Sequence, residues 1–108
     1  MCLICEGKRI NQHEELNCSN CPQLTQIPII KGLRKLNCSN CPQLQQIPYI
    51  KALKELYCFD NPQLTKMPDI KGLQKLTCSN CPQLTQIPYI ENLRVLNCCY
   101  NPQLTQIM

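Results

Sequence analysis

The sequence predicts a repeat solenoid of short parallel strands, and three observations lead to that prediction. Apolar residues recur every twenty positions along the 108-residue chain. Around each repeated leucine, polar and apolar residues alternate, as they do on a strand with one buried face. Between successive strands lies a segment that contains proline and is too short for a helical crossover. Units of this length bury their apolar faces against each other, so the fold grows by stacking.

Each repeat position keeps one chemical character. The clearest unit is LNCSNCPQLTQIPIIKGLRK, residues 16–35. Four complete units and a truncated fifth account for residues 16–108, and we expect residues 1–15 to form a degenerate amino-terminal cap or partial repeat. We call a set of residues spaced by twenty a column. The apolar columns include Leu24, Leu44, Leu64, Leu84 and Leu104, and Ile27, Ile47, Met67, Ile87 and Ile107.

The elements of one unit follow from its residue types. Alternation over residues 35–39 predicts a strand with Leu36 and Cys38 inward and with Lys35, Asn37 and Ser39 outward. Asn and Pro then end the strand. Proline in the IPxI return segment disfavours helix, so the return should be extended or polyproline-like. Five strands should stack about 4.8 Å apart, with right-handed connections.

Residues 33–44, LRKLNCSNCPQL, resemble the leucine-rich-repeat core LxxLxLxxCxxL or LxxLxLxxNxL. Cys38 takes the third leucine position and Cys41 the Asn/Cys position, which Asn61 and Asn101 occupy in units three and five. The short period and the QIPxI return are similar to repeats of bacterial effectors and to Cys-rich repeats of amoebae and their giant viruses. The resemblance implies a right-handed superhelix with strands on the concave face and an extended convex side. It implies a binding scaffold without specifying a ligand.

The eleven cysteines allow two interpretations. Cys18, Cys21, Cys38 and Cys41 have the spacing of a four-cysteine zinc site, so a zinc- or redox-active CxxC protein is the alternative function. The other interpretation is that cysteines fill the core as small apolar side chains. Stacked residues lie about 4.8 Å apart along the coil, whereas zinc needs four sulfurs about 2.3 Å from one point. The sequence favours core filling and no cofactor.

Nothing in the sequence predicts an enzyme. The single histidine, His13, falls in a leucine column and is expected to belong to the cap. The chain has three glycines and no glycine-rich phosphate loop, and no serine lies in a nucleophile elbow. Cys99 is expected on the outward side, where it is either reactive or without a role.

The outward strand columns are the candidate binding surface. The column Glu15, Lys35, Glu55, Lys75, Val95 alternates in charge and predicts either a register-fixing ladder of ion pairs or a partner surface. Unit three replaces small polar residues by aromatic ones, among them Phe59, which is expected to be exposed. Exposed aromatic residues among Asn and Ser are typical of binding hot spots, although drift within a repeat array is the alternative. The predicted partner-binding residues are Lys35, Asn37, Glu55, Tyr57, Phe59, Asp60, Lys75, Thr77, Asn97 and Tyr100.

Partners and location follow less directly. The net charge of +4 is scattered, so nucleic acid is not favoured, and no apolar stretch approaches the roughly 20 residues of a membrane span. We expect a protein partner and a reducing cytoplasm, which is the host cytoplasm if the protein is a viral or effector protein. The truncated fifth unit predicts an open apolar edge and self-association, as a homodimer, through Leu96, Cys98 and Leu104. A purely structural or self-assembling repeat is the remaining alternative.

Overall fold

The computed structural model describes residues 14–104 and the strand residues 106–107. Within them the chain forms a parallel β-solenoid of about four coils with no helix, which confirms the predicted repeat architecture. The strands are β1 (Glu15–Asn17), β2 (Lys35–Asn37), β3 (Glu55–Tyr57), β4 (Lys75–Thr77), β5 (Gln86–Ile87), β6 (Val95–Asn97) and β7 (Gln106–Ile107). Residues 1–13 of the expected cap, including His13, lie outside the described residues, and Glu15 begins β1.

Five strands form the main sheet, in the order β1-β2-β3-β4-β6, with every neighbour parallel. Residues twenty apart pair directly, as Leu16 does with Leu36 and Leu36 with Leu56. Backbone hydrogen bonds continue beyond the strands, for example from the Cys38 N–H to the Tyr57 carbonyl at 2.8 Å. The register therefore follows the sequence period, because any slip would move the apolar columns out of the core.

The core consists of the apolar columns stacked between the two sides of the coil. Leucine, isoleucine and cysteine columns from Leu16 to Ile90 are buried, and Leu36, Cys38 and Leu56 are fully excluded from solvent. A core without tryptophan is thus packed by aliphatic side chains and thiols, as the composition predicts.

The return segments are extended, as expected, and they also pair with each other. Strands β5 and β7 form a second, two-stranded parallel sheet, and Gln46 and Lys66 form an isolated parallel bridge. The repeat pattern of the sequence did not predict this pairing. Proline near each pairing site removes backbone donors, which keeps this sheet short.

Five residues at the ends of the main-sheet strands adopt the left-handed conformation: Asn20, Asn40, Asp60, Asn80 and Tyr100, with φ between 55° and 62°. Asn and Asp tolerate this conformation better than other side chains that carry a Cβ, whereas a bulky residue is strained in it. The fifth member of this column, Tyr100, is therefore the exception.

Two outward positions differ from the prediction. Ser39 is buried, with 2% of its surface exposed, and Phe59 is partly buried and not exposed. These residues are neighbours in one column, and the Phe59 N–H donates to the Ser39 Oγ at 3.2 Å. The column places a large side chain directly beside a small one, an arrangement expected to reduce the exposed surface of both residues.

No helix in the described part of the chain has the length and apolar character required to cross a membrane.

Candidate interaction surface

The outward side chains of the main sheet form a continuous surface, which we call the strand face. Its first column joins Glu15, Lys35, Glu55, Lys75 and Val95, and its second joins Asn17, Asn37, Tyr57, Thr77 and Asn97. The register places the predicted partner-binding residues of these columns side by side on β2, β3, β4 and β6. Phe59, Asp60 and Tyr100 lie two or three residues after the ends of β3 and β6.

Tyr57 organises the charged part of the strand face. The Lys35 and Lys75 ammonium nitrogens lie 5.6 Å and 5.5 Å from its ring centroid, within the range of cation–π attraction. Its hydroxyl donates to Glu55 Oε1 at 2.7 Å. The sequence predicted that opposite charges would alternate here but not that an aromatic ring would gather them. Lys35, Glu55 and Lys75 are thus all held to one side chain.

Small polar residues of the strand face are hydrogen-bonded to each other. The Ser79 hydroxyl donates to Asn97 Oδ1 at 2.6 Å, and Asn80 Nδ2 donates to Asp60 Oδ1 at 2.8 Å. These bonds join neighbouring coils of the solenoid and orient the polar groups along the surface. Because these polar atoms already have hydrogen-bond partners within the protein, they depend less on a partner from outside.

An open groove of about 620 Å³ lies at the carboxyl ends of β3, β4 and β6. We call it the aromatic trough, because Phe59 and Tyr100 are the large residues on either side of the smaller Thr77 and Ser79. Its lining residues are Phe59, Asp60, Thr77, Ser79, Asn80, Asn97, Cys99 and Tyr100. Five of them belong to the predicted partner-binding set. Ser79, Asn80 and Cys99 were missed, although they share columns with Phe59 and Asp60.

Tyr100 is the most unusual residue of the trough. Its side chain is 82% exposed and its φ is 62°. A bulky residue with φ above zero costs roughly 1–2 kcal/mol relative to ordinary backbone. Exposure of this degree offers little packing to offset that cost. Strained residues of this kind concentrate at functional sites.

The CxxC cysteines pack into the core. Cys18, Cys21, Cys38 and Cys41 are buried, and no disulfide joins the nine cysteines of residues 14–104. Across the same residues, no three cysteine, histidine or acidic side chains are grouped so that they could hold a metal ion. The Cys41 thiol instead donates to the Cys18 carbonyl at 3.2 Å.

Burial also controls the protonation of these thiols. It raises the pKa of Cys38 and of Cys58 well above the usual range and raises the pKa of Cys78 to about 12. Because the thiolate is the nucleophile and the metal ligand, buried neutral thiols suit core packing better than redox or zinc chemistry.

Asn61 shows why the Asn/Cys column accepts either residue. Its Nδ2 donates to the Cys38 and Cys58 carbonyls at 3.1 Å and 2.9 Å, and its Oδ1 accepts from the Cys41 N–H at 2.7 Å. Cysteine in this column also donates to a carbonyl of the preceding coil, but through its thiol. Both residue types therefore bridge neighbouring coils from inside the core.

The last coil is less well covered than the others. Leu96, Cys98 and Leu104 are partly exposed, whereas Leu76, Cys78 and Leu84, one unit earlier, are fully buried. The residues predicted for self-association thus form an apolar edge in the described structure.

No protein-family model, no curated protein and no solved structure matches this chain.

Proposed function

We propose that this chain is a non-enzymatic protein-interaction module that binds its partner through the strand face. The observation that carries the proposal is the placement of three aromatic residues, Tyr57, Phe59 and Tyr100, on a surface whose other residues are mostly small and polar. Tyrosine is enriched among the few residues that supply most of the binding energy at protein interfaces, and phenylalanine is enriched in interfaces as well. A solenoid sheet presents such residues on a broad, preorganised surface.

The strained Tyr100 supports the same proposal. Three other units carry Asn in this column, and Asn adopts the left-handed conformation at lower cost than Tyr does. A tyrosine that is strained and largely exposed stabilises the free protein little. Binding to a partner is a function that such a residue serves directly.

The proposal includes the leucine-rich-repeat class of solenoid, with a right-handed superhelix and the strand face on its concave side. Coils of twenty residues, the leucine columns and the Asn/Cys column support it. A crystal structure of the protein tests handedness and curvature directly. A left-handed coil, or a strand face on the convex side, would refute this part of the proposal.

The test of function is capture of the partner with and without the aromatic residues. A double variant, Tyr57→Asn with Phe59→Ser, carries the residues that other units use in the same columns. Wild-type bait should capture a protein from the native cell, and the double variant should lose it. Tyr49→Asp is the matched control, because Tyr49 is exposed on the return side and Asp69 already occupies its column. It should capture the partner as wild type does.

Circular dichroism and urea unfolding establish that both variants are folded. Retention of the partner by a folded double variant would contradict the proposal.

We place the function in a reducing cytoplasm, that of a host cell if the protein is a viral or effector protein. Support comes from the core, because oxidation of buried thiols such as Cys38 and Cys58 would disturb its packing. Thiol alkylation in native lysate, read by mass spectrometry, should find these cysteines reduced once the protein is unfolded. Recovery of them as disulfides would contradict this location.

Self-association is the second candidate, favoured by the partly exposed edge at Leu96, Cys98 and Leu104. The proposed occupant is a second copy of the chain, whose edge strand would pair with β6 and cover these side chains. Sedimentation should show a mass that rises with concentration, and Val95→Lys should abolish the rise, because charge on an exposed edge strand opposes pairing. A monomer at every concentration would rule this candidate out.

A further inference from the structure

We infer that the aromatic trough binds one large apolar side chain of an extended peptide segment, and that acidic residues about four positions away in that segment lie against Lys75 and Arg94. The inference rests on the proposed function, because the trough is part of the strand face. It adds the chemistry of the partner: an apolar anchor and carboxylates in one extended stretch.

The lining of the trough favours an apolar anchor. Phe59 and Tyr100 provide ring surface, and between them lie the short side chains of Thr77 and Ser79. Two polar pairs of the lining are already engaged, since Ser79 Oγ donates to Asn97 Oδ1 and Asn80 Nδ2 donates to Asp60 Oδ1. An apolar side chain can therefore cover these two pairs without breaking their hydrogen bonds.

The trough exists because the fourth unit is small where the third is large. Thr77 pairs with Tyr57 across the strands, and Ser79 occupies the column of Phe59. The same two columns thus carry large side chains in unit three and small side chains in unit four. Filling the trough with an aromatic residue at position 79 repeats a side chain that the fold already carries one coil earlier.

Charge favours acidic residues at the other end of the strands. Lys75 begins β4, and Arg94, which directly precedes β6, is exposed. Lys75 has the acidic Glu55 beside it in its column on one side and the uncharged Val95 on the other. Lys75 and Arg94 thus give the β4 and β6 side of this end a positive charge, which favours a partner with carboxylates there.

The distance between the two ends fits an extended chain. Lys75 precedes Ser79 by four residues, which is roughly 13 Å at 3.3 Å per extended residue. In an extended peptide, side chains at positions i and i+4 point to the same side and span the same distance. A segment lying along the strands can thus place an apolar residue in the trough and a carboxylate near Lys75.

A fluorescent peptide tests the inference. The chain contains no tryptophan, so tryptophan emission reports the probe alone. The probe is the acetylated hexapeptide Trp-Ser-Thr-Ser-Glu-Glu, titrated with the full chain, and a second probe carries Lys in place of both Glu residues. We expect a saturable blue shift with the acidic probe below about 1 mM and binding at least about tenfold weaker with the basic probe.

Variants of the protein locate the site. Ser79→Phe should weaken the acidic probe at least about tenfold by filling the trough. Ser19→Phe is the matched control, because Ser19 lies in the same column and also donates its hydroxyl to an Asn side chain, at 2.6 Å. It should bind as wild type does. Lys75→Glu should weaken the acidic probe and strengthen the basic one. If Ser79→Phe unfolds, Thr77→Tyr fills the same trough with the residue of unit three.

Four results would overturn the inference: no saturable shift, equal binding of both probes, unchanged binding by folded Ser79→Phe, or N-acetyltryptophanamide binding as tightly as the hexapeptide. The last would identify a small-molecule pocket.

Selection of binders from a random peptide display library distinguishes a failure of the trough inference from a failure of the proposed function. Peptides lost by Tyr57→Asn with Phe59→Ser but retained by Ser79→Phe would refute the trough and support the strand face. If every selected peptide tolerates the double variant, both proposals are wrong.

Discussion

The buried thiols predict that this protein loses stability in alkali. Burial raises the pKa of Cys38, Cys58, Cys78 and Cys81, and for Cys78 the pKa reaches about 12. The folded chain therefore keeps these thiols protonated at a pH where the unfolded chain, with thiols near 9, releases the protons. Since the unfolded state binds fewer protons above pH 9, the free energy of unfolding falls as pH rises. The stabilisation is complete below pH 9 and is lost progressively toward pH 12.

The magnitude follows from the size of the pKa shift. For each buried thiol, the free energy of unfolding falls by about 1.4 kcal/mol per pH unit above 9, as long as the pH stays well below the pKa of that thiol in the folded chain. At pH 10, Cys78 alone, whose pKa in the folded chain is about 12, reduces the free energy of unfolding by about 1.4 kcal/mol. The raised pKa values of Cys38, Cys58 and Cys81 act in the same direction. Domains of this kind have roughly 5–15 kcal/mol in total, so we expect a measurable fall in stability between pH 9 and pH 10.

Urea unfolding at pH 7, 8, 9 and 10, with a reductant and circular dichroism, measures this fall. Cys78→Ala is the control, because it lowers stability at every pH through the lost volume but removes one titrating thiol. Its free energy of unfolding should therefore fall less steeply above pH 9, by about 1.4 kcal/mol per pH unit. A urea midpoint that stays constant to pH 10, or an unchanged slope in Cys78→Ala, would refute the reasoning.

Three further predictions concern single positions. Asn61→Ala should cost about 2 kcal/mol or more in urea unfolding, because it leaves the buried Cys38 carbonyl and the Cys41 N–H without their partner, while the Cys58 carbonyl keeps the Cys81 thiol as a donor. Asn61→Cys, the residue of three other units, should cost clearly less, and equal losses would contradict the assigned hydrogen bonds. Tyr100→Asn should raise the free energy of unfolding by about 1 kcal/mol, because Asn tolerates the left-handed φ; a lower stability would mean that the ring packs in the free protein. Gly32→Ala should cost about 1 kcal/mol because φ is 82° there, whereas Gly72→Ala should be tolerated, since the added Cβ meets only the flexible end of Lys54. Equal thermal shifts for the two glycine variants would count against this distinction.

Much of the strand face was predictable because it is periodic. The columns that contain Lys35, Tyr57 and Thr77 follow from counting by twenty, and the structure pairs them in that register. Most of the trough was predictable in the same way, including Phe59 and Tyr100. Ser79 and Cys99 could have been included by the same counting, because they share the column of Phe59.

The contacts within the strand face were less predictable. The sequence shows opposite charges in one column, and the structure shows two lysines on the ring of Tyr57 from a neighbouring column. Long side chains choose among several partners within reach, and the choice depends on the local surface. The burial of Ser39, which lies beside the large Phe59 in its column, was not predictable for the same reason.

The sequence alone determined the period, the apolar columns and the strand register of this protein, because burial of one repeated face allows a single alignment of successive coils. Only the tertiary structure decided how the exceptions behave: the left-handed backbone of Tyr100, the three hydrogen bonds of Asn61 and the trough beside Phe59. The physical reason is that a repeated position is governed by what all units share. An exceptional residue is governed by the size and polarity of its neighbours one coil away.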